Sequence, residues 1–434
     1  MDLQKESTTR TITPVSRLRG EVRVPGDKSI SHRSFMIAAL AEGRSTIRNA
    51  STAGDPMSTQ GCIEALGIRV RRVGDVIEVH GKGLHGLSAP NGPLDAGNSG
   101  TTMRLMTGIL SGQRFNSVLT GDEFLNRRPM GRIIDPLTEM GAQIAATDQR
   151  TAPLHIFTVE KLSPICYRLP LPSAQVKSAV LFAGLYAGGT TEVVEPVTSR
   201  DHTERMLGLK VGTGPNGRSV TIDGGMKIPA REFIVPGDVS AAAFWMVAAC
   251  IVPDSELRIF NVGLNPTRRG VIDVLLSMGA RITIEDEREV SGEPMGDLIV
   301  RTSSLQNTKL SGSIIPNIID EIPVLAVAAA VSKGKFEVRD AHDLRNKECD
   351  RIAAVANNLI GMGVDVDVYD DGFSFEGIPA LKGARLDSYS DHRIAMAFAV
   401  AALVARGATT IEKSHYASIS FPTFWDVLEQ TSEK

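Results

Sequence analysis

Six segments of the chain repeat one design: an apolar, alanine-rich helix, a break usually made by glycine, and a short strand. They are SFMIAALAEGRSTIRN, RLMTGILSGQRFNSVLTG, SAVLFAGLYAGGTTEVVE, AAAFWMVAACIVPDSELRIFNVG, IPVLAVAAAVSKGKFEVRDA and IAMAFAVAALVARGATTIEKS. Self-similarity of this kind constrains a fold more than composition does, because one unit cannot bury its apolar face alone and must stack on its neighbours. A second pattern interleaves with the first. Helices close on Gly67, Gly141, Gly208, Gly279 and Gly363 and pass into the alternating strands of ALGIRV, EMGAQI, MLGLKV, SMGARI and GMGVDV. Glycine suits a helix C′ position that needs positive φ, and strict alternation suits a half-buried strand. The spacing is about 70 residues, so each unit holds two helices and several short strands. Six such units fit a chain of 434 residues.

A longer duplication groups the units in threes. VPGDKSISHRSFMIAAL begins at Val24 and VPGDVSAAAFWMVAAC at Val235. The two VPGD turns are read as crossings between two lobes. One lobe spans 24–237, and the other joins 1–23 to 238–434, so the amino-terminal tail returns to the carboxy-terminal half. The fold class expected is α/β. Helices such as IPVLAVAAAV are apolar nearly all round, so they belong inside each lobe with the sheets outside.

Composition narrows the function classes. With 42% hydrophobic and 22% charged residues the chain is an ordinary globular one. No run of about 20 uncharged apolar residues offers a membrane span, and the first twenty residues lack the apolar core of a secretory signal. The expected compartment is the cytosol. Cys62, Cys166, Cys250 and Cys349 are scattered without zinc-ligand spacing, which points to reduced, mostly buried thiols and no metal site. A formal net charge of −3 gives no general attraction to nucleic acid or membrane, so any anion must be recognised by a local cluster.

Such clusters occur at helix starts and loops. In GDKSISHR a helix is expected to begin near Ser29 or Ser31, and Lys28 and Arg33 stand where cations oppose the helix dipole unless an anion offsets them. The loop Gly97–Asn98–Ser99–Gly100 leads into a helix carrying Arg104, and NRRPMGRI gathers Arg127, Arg128 and Arg132. LPSAQVKSAV offers Ser173, the Ala174 amide and Gln175, and SRDHTERM adds Arg200. In the second half stand Lys347, Glu348 and Arg351 of RNKECDRI and Arg393 of YSDHRIAM. Asp320 and Glu321 open the helix of DEIPVLAVAAA, where a carboxylate could also serve as a cap. His32 and His392 are read as orienting or structural groups and not as nucleophiles. Many cations, few carboxylates and no Walker loop, dinucleotide fingerprint or Ser-His-Asp order imply compact polyanionic substrates, with proton transfer by one or two carboxylates and a lysine.

Taken in order, GDKSISHRS, GNSGTTMRL, RRPMGRI, PSAQVKSA, SRDHTERML, IIDEIP, NKECDRI, YSDHRIAM and SFPTFWDVL resemble the EPSP synthases, the 3-phosphoshikimate 1-carboxyvinyltransferases, in their second bacterial class. The resemblance covers about Val15 to Leu428. It implies a two-lobed inside-out α/β barrel of the enolpyruvyl transferase kind, with three repeats per lobe. It implies transfer of the enolpyruvyl group of phosphoenolpyruvate to the 5-hydroxyl of shikimate 3-phosphate by addition and elimination of phosphate, in aromatic amino acid biosynthesis. No cofactor is implied, and a monomer is expected. Lys28, Ser29, Arg33, Ser173, Ala174, Gln175 and Arg200 would hold shikimate 3-phosphate, with Asp320 and Lys347 reaching it from the other lobe. Lys28, Gly100, Arg128, Gln175, Arg351 and Arg393 would hold phosphoenolpyruvate. Asp320 would accept the hydroxyl proton, and Glu348, with Lys347 beside it, would protonate the methylene carbon.

Two positions depart from the family pattern. Ile419 stands where many relatives have lysine, and Ala174 where others have serine. Gly100, where tolerant relatives carry an extra methyl, implies sensitivity to glyphosate. The nearest alternative is the UDP-N-acetylglucosamine enolpyruvyl transferase, whose loop cysteine has no counterpart in GDEFLNRRPMGRI. A non-catalytic anion-binding protein of the same fold is the other, and Asp320, Lys347 and Glu348 together argue against it.

Overall fold

The computed structural model describes residues 9–215 and 217–433; the first eight residues of the 1–23 segment lie outside the described residues. The chain divides into two compact units. One comprises Gly26–Pro236 with Glu289–Glu293, and the other Met1–Pro25, Gly237–Arg288 and Pro294–Lys434. Five residues within the span 238–434 therefore group with the opposite unit, where Glu293 pairs with buried His202 at 2.8 Å.

Among the described residues six separate sheets, three in each unit, repeat one pairing scheme, and none closes into a strand barrel. In the Gly26–Pro236 unit, Glu232–Ile234 runs parallel to Glu42–Arg48, in the register Glu232 to Thr46. Val76–Lys82 follows antiparallel and Arg69–Val73 lies at the edge. The same order, one parallel edge and then antiparallel neighbours, recurs around Ser117–Thr120 and around Thr190–Glu195. In the other unit Arg17–Arg23 runs parallel to Glu256–Gly263, and Arg10–Ile12 pairs antiparallel with Thr409–Glu412. The amino-terminal tail thus completes two sheets of the carboxy-terminal half.

The predicted buried helices form the centres. Every residue of Ile322–Ala330 is buried, and this helix packs against Val239–Ile251 and His392–Ala402, which are buried almost throughout. Each unit has its own apolar cluster, and in one of them Trp245 meets Phe421 and Phe424 of the SFPTFW segment at ring separations of 6.2 and 5.5 Å. That segment is packing. Gly67, Gly141, Gly208, Gly279 and Gly363 all have positive φ, between 64° and 95°, as the helix-ending role requires.

The duplicated VPGD turn needs its glycine for another reason. A Cβ on Gly26 would stand 1.8 Å from the Asn49 carbonyl oxygen, and one on Gly237 would stand 2.7 Å from a Val24 methyl. The aspartate after each glycine caps the helix that follows: Asp27 accepts the Ile30 amide at 2.8 Å and Asp238 the Ser240 amide at 2.8 Å. The first helix therefore begins at Lys28, earlier than Ser29 or Ser31, because a carboxylate and not a serine hydroxyl is the cap. The expectation of mostly buried thiols holds for Cys62 and Cys250; Cys166 is exposed on an edge strand and Cys349 is half-buried. Among the described residues no single helix is long and apolar enough to cross a membrane.

Candidate active site

Five of the six inner helices are capped by a side chain. Asp27, Ser99, Ser173, Asp238 and Asp391 each accept an amide of the first turn. The exception is Ile322–Ala330, whose preceding Glu321 makes no cap bond. The capping role open to Asp320 and Glu321 in sequence is thus not what Glu321 performs. Its wholly buried carboxylate instead accepts from Arg268 Nη1 at 3.1 and 3.2 Å and from the Ser240 hydroxyl, and lies 3.5 Å from Arg393. The second VPGD helix is a packing helix, as expected, and its start also locks Glu321 in place.

Fixing Glu321 leaves its neighbour Asp320 turned toward cations. Asp320 Oδ1 lies 3.3 Å from Arg351 Nη1 and 3.9 Å from Lys347 Nζ, and Oδ2 lies 4.0 Å from Arg393 Nη2. Arg393 also donates to the Asp320 carbonyl at 3.2 Å. Arg351 is buried between three carboxylates: Asp320, Glu348 at 2.6 Å and Asp391 at 2.8 Å. Burial alone would lower its pKa, but Glu348, Asp391 and Asp320 together raise it above the ordinary arginine value. Glu348 is otherwise exposed, and burial pushes the adjoining Cys349 thiol up to about 12, so it remains a thiol beside Asp391. All five residues expected in this unit, Asp320, Lys347, Glu348, Arg351 and Arg393, therefore form one cluster.

In the Gly26–Pro236 unit the helix starts gather a second set. Lys28 Nζ is 3.0 Å from Asp55, a partner that the motif GDKSISHR does not reveal. Half-buried Ser29 follows it, and its carbonyl accepts from Arg33 at 3.0 Å. Arg33 is wholly buried and also donates to Thr203 at 2.7 Å and to Ser178 at 2.8 Å. Burial pushes its pKa down to about 10, opposed by Glu204, Asp27 and Glu293. Gln175 joins two helices, accepting from Arg104 at 2.7 Å and donating to Thr101 at 3.0 Å. Ser173 is the cap and Ala174 the first residue of the Gln175 helix.

Around Gly100 the positive charge is concentrated. Arg128 donates to Asn98 at 3.1 Å, whereas Arg127 turns to exposed Glu123 at 3.6 Å, so the two adjacent arginines have different destinations. Burial, with Arg132 and Arg128 nearby, pushes the Arg104 pKa down to about 10. Among the described residues Arg104, Arg128 and Arg132 form no ion pair. Three guanidinium groups and the amides of a helix start suit a small anion.

Beside this set lies a ring of four charges, three of them buried and Arg218 half-buried, that sequence reading did not find. Lys177 meets Glu195 at 2.9 Å and Glu204 at 2.7 Å, and Arg218 meets the same two carboxylates at 2.8 and 2.7 Å. Glu195 also accepts the Ser199 amide at 3.1 Å and its hydroxyl, which fixes the loop that carries half-buried Arg200. Ile419 is exposed at the end of a short 3₁₀ segment.

His32 and His392 are both buried, and burial pushes their pKa values down to about 3 and about 4; Asp55 and Asp391 respectively resist the shift. Unfolded, each titrates near its ordinary value of about 6.5. Below that pH the unfolded chain binds protons that the folded chain refuses. Their contribution to stability is therefore complete above pH 6.5 and declines as the pH falls toward 4 and 3. The urea midpoint should drop between pH 7 and pH 5, and His32→Asn should flatten that slope; an equal slope in the variant would contradict the assignment.

The sequence model of the EPSP synthase family, 3-phosphoshikimate 1-carboxyvinyltransferase, matches residues 12–428. The chain belongs to the EPSP synthase family. It is 52% identical over 429 residues to the 3-phosphoshikimate 1-carboxyvinyltransferase of Salinibacter ruber, covering 98% of this chain and 99% of that one. Identity to the enzyme of the same name from Pelobacter propionicus is 50% over 424 residues, covering 97% and 98%. The solved EPSP synthase from Acinetobacter baumannii superposes with a TM-score of 0.90 at 41% identity, over 98% of both chains. The enolpyruvyl transferase NikO from Streptomyces tendae, at 18% identity and a TM-score of 0.75 over 97% of this chain and 96% of that one, shares the fold. As a member of the EPSP synthase family, the chain is a transferase that moves the enolpyruvyl group of phosphoenolpyruvate to shikimate 3-phosphate in aromatic amino acid biosynthesis.

Proposed function

We propose that the two clusters divide this reaction between substrate binding and proton transfer. Lys28, Ser29, Arg33, Ser173, Ala174, Gln175 and Arg200 bind shikimate 3-phosphate, assisted by Asp320 and Lys347. Lys28, Gly100, Arg128, Gln175, Arg351 and Arg393 bind phosphoenolpyruvate. The observation that carries the reading is Asp320, at the one inner helix start without a cap bond, held among Arg351, Lys347 and Arg393.

The chemistry follows from those positions. The 5-hydroxyl oxygen attacks C2 of phosphoenolpyruvate while its proton passes to Asp320, and Glu348, with Lys347 beside it, protonates the methylene carbon. A tetrahedral intermediate results. Return of a methyl proton to Glu348 and departure of phosphate, which takes the proton held by Asp320, then give the enol ether. The arginines and Lys28 stabilise the negative charge that moves onto the leaving phosphate. No cofactor takes part. The chain acts as a cytosolic monomer on small anions, not on nucleic acid or membrane, and its net charge of −3 supports local rather than general anion binding. Phosphate release that requires both substrates together, and is absent with either alone, tests the reading; release with one alone would overturn it.

Gly100 yields a quantitative expectation. A Cβ there would stand 2.6 Å from Arg104 Nη1 and 3.5 Å from Arg128 Nη1, so Gly100→Ala must push the Arg104 guanidinium aside. One methyl in a filled pocket discriminates between ligands by about 10–200-fold. The glyphosate concentration giving half inhibition should rise within that range, with a smaller rise in KM for phosphoenolpyruvate. Inhibition curves that superimpose on those of the parent would refute it.

A further inference from the structure

Three helices of the Gly26–Pro236 unit begin with residues of the substrate cluster or their partner: Lys28–Leu40 with Lys28, Gly54–Ala65 with Asp55, and Gly100–Leu110 with Gly100. Within about one turn of those residues, each helix sends a polar side chain into the core. These are His32, Thr59 and Thr102, all fully buried. They meet in a row. His32 Nδ1 is 2.7 Å from Thr59 Oγ1, Thr59 Oγ1 is 2.7 Å from Thr102 Oγ1, and Thr102 Oγ1 donates to Ser99 Oγ at 2.9 Å. Ser99 Oγ in turn accepts the Thr102 amide at 3.1 Å, the cap of the Gly100 helix.

Each hydroxyl carries one proton, which orders the row. Because Thr102 donates to Ser99, Thr59 donates to Thr102, and His32 Nδ1–H donates to Thr59. The neutral ring that burial enforces is consistent with this single N–H donor. Hydrogen bonds are directional where apolar packing is not, so a row of this kind sets the rotation of three helices about their axes. Apolar side chains of the same shape would fill the space without setting it.

We propose that Thr59 and Thr102, tied to His32, are positioning residues for phosphoenolpyruvate: they hold Lys28, Asp55 and the Gly100 amide at one mutual spacing. None of them touches substrate. The inference rests on the proposed roles of Lys28 and Gly100. The Lys28–Asp55 ion pair of 3.0 Å is most directly governed, since Thr59 follows Asp55 by one helical turn and Thr102 Oγ1 also reaches the Asp55 carbonyl at 3.4 Å.

The test is steady-state kinetics of the full chain carrying Thr59→Val, a change that keeps shape and removes the hydroxyl. Loss of one or two hydrogen bonds corresponds to an increase in KM for phosphoenolpyruvate of about five- to tenfold, with kcat within about twofold. Thr59→Ser, which restores the hydroxyl, should bring KM back toward the parent value. Thr102→Val is the second variant, should Thr59→Val not fold, and the same rise in KM is expected of it. An unchanged KM in a folded valine variant overturns the proposal, as does an equal rise in Thr59→Ser, which would assign the effect to packing. Lys28→Met, measured alongside, separates the two levels: if it leaves KM for both substrates unchanged, the reading of Lys28 itself fails, whereas a defect in Lys28→Met with none in Thr59→Val removes only the row.

Discussion

Asp320→Asn is expected to lower kcat by about 10²–10⁴-fold, the range for removing a positioned general acid or base. The amide keeps the volume of the carboxylate but cannot take the proton of the attacking hydroxyl. KM for the anionic substrates should not rise, because the change leaves Arg351, Lys347 and Arg393 in place and removes a negative charge that stands 3.3, 3.9 and 4.0 Å from them. This split between kcat and KM is what distinguishes a proton acceptor from a structural partner of Arg351. Were Asp320 only a counter-ion, its neutralisation would loosen Arg351 and Arg393 and raise KM while leaving kcat largely intact. Rapid-mixing measurement of the first turnover, with both substrates saturating, gives the answer free of product release; a first-turnover rate equal to that of the parent would remove Asp320 from the chemistry.

Lys177→Met is expected to destabilise the chain by about 3–5 kcal/mol, the usual result of deleting one member of a buried ion pair. The methionine fills much the same space, but the buried carboxylates of Glu195 and Glu204 are then left to share Arg218 alone. The double variant Lys177→Met with Glu204→Gln should recover part of the loss, since it restores charge balance around Glu195. Urea midpoints of the parent, the single and the double variant check both statements; a single variant as stable as the parent would show that the ring carries no such charge burden. A functional consequence accompanies the structural one. Glu195 anchors the Ser199 amide and hydroxyl next to Arg200, so at temperatures where Lys177→Met remains folded, KM for shikimate 3-phosphate should rise.

Much of the fold and part of the site can be read directly from the residues. The helix-ending glycines declare themselves because only a few residues tolerate positive φ, and the recurring alanine-rich helices because a helix apolar all round must be enclosed. The clusters at Lys28, Gly100, Arg128, Lys347 and Arg351 are visible because cations at helix starts contradict the dipole and call for an anion. Asp55, Lys177, Glu195, Glu204, Arg218, Arg268 and Asp391 carry no such mark. Lys177 sits in the apolar stretch QVKSAV and looks like a surface residue that happens to interrupt it; its partners are 18 and 27 residues away in a different sheet and helix. Likewise the two carboxylates of DEIP are equivalent as letters. Arg268 and Ser240, distant in sequence, bury Glu321 and leave Asp320 beside the cations.

By itself, then, the order of residues determined the six repeated units, the two VPGD turns and the chemical character of the anion-binding helix starts, since each depends on backbone conformation, periodicity or charge within a few residues. Only the tertiary structure decided which cations are paired with carboxylates and which stand around Gly100 without one, which of two adjacent acids is buried, and that His32, Thr59 and Thr102 meet. The physical reason is range: hydrogen bonds and ion pairs act over about 3 to 4 Å, and the groups that close to that distance stand tens of residues apart in the chain.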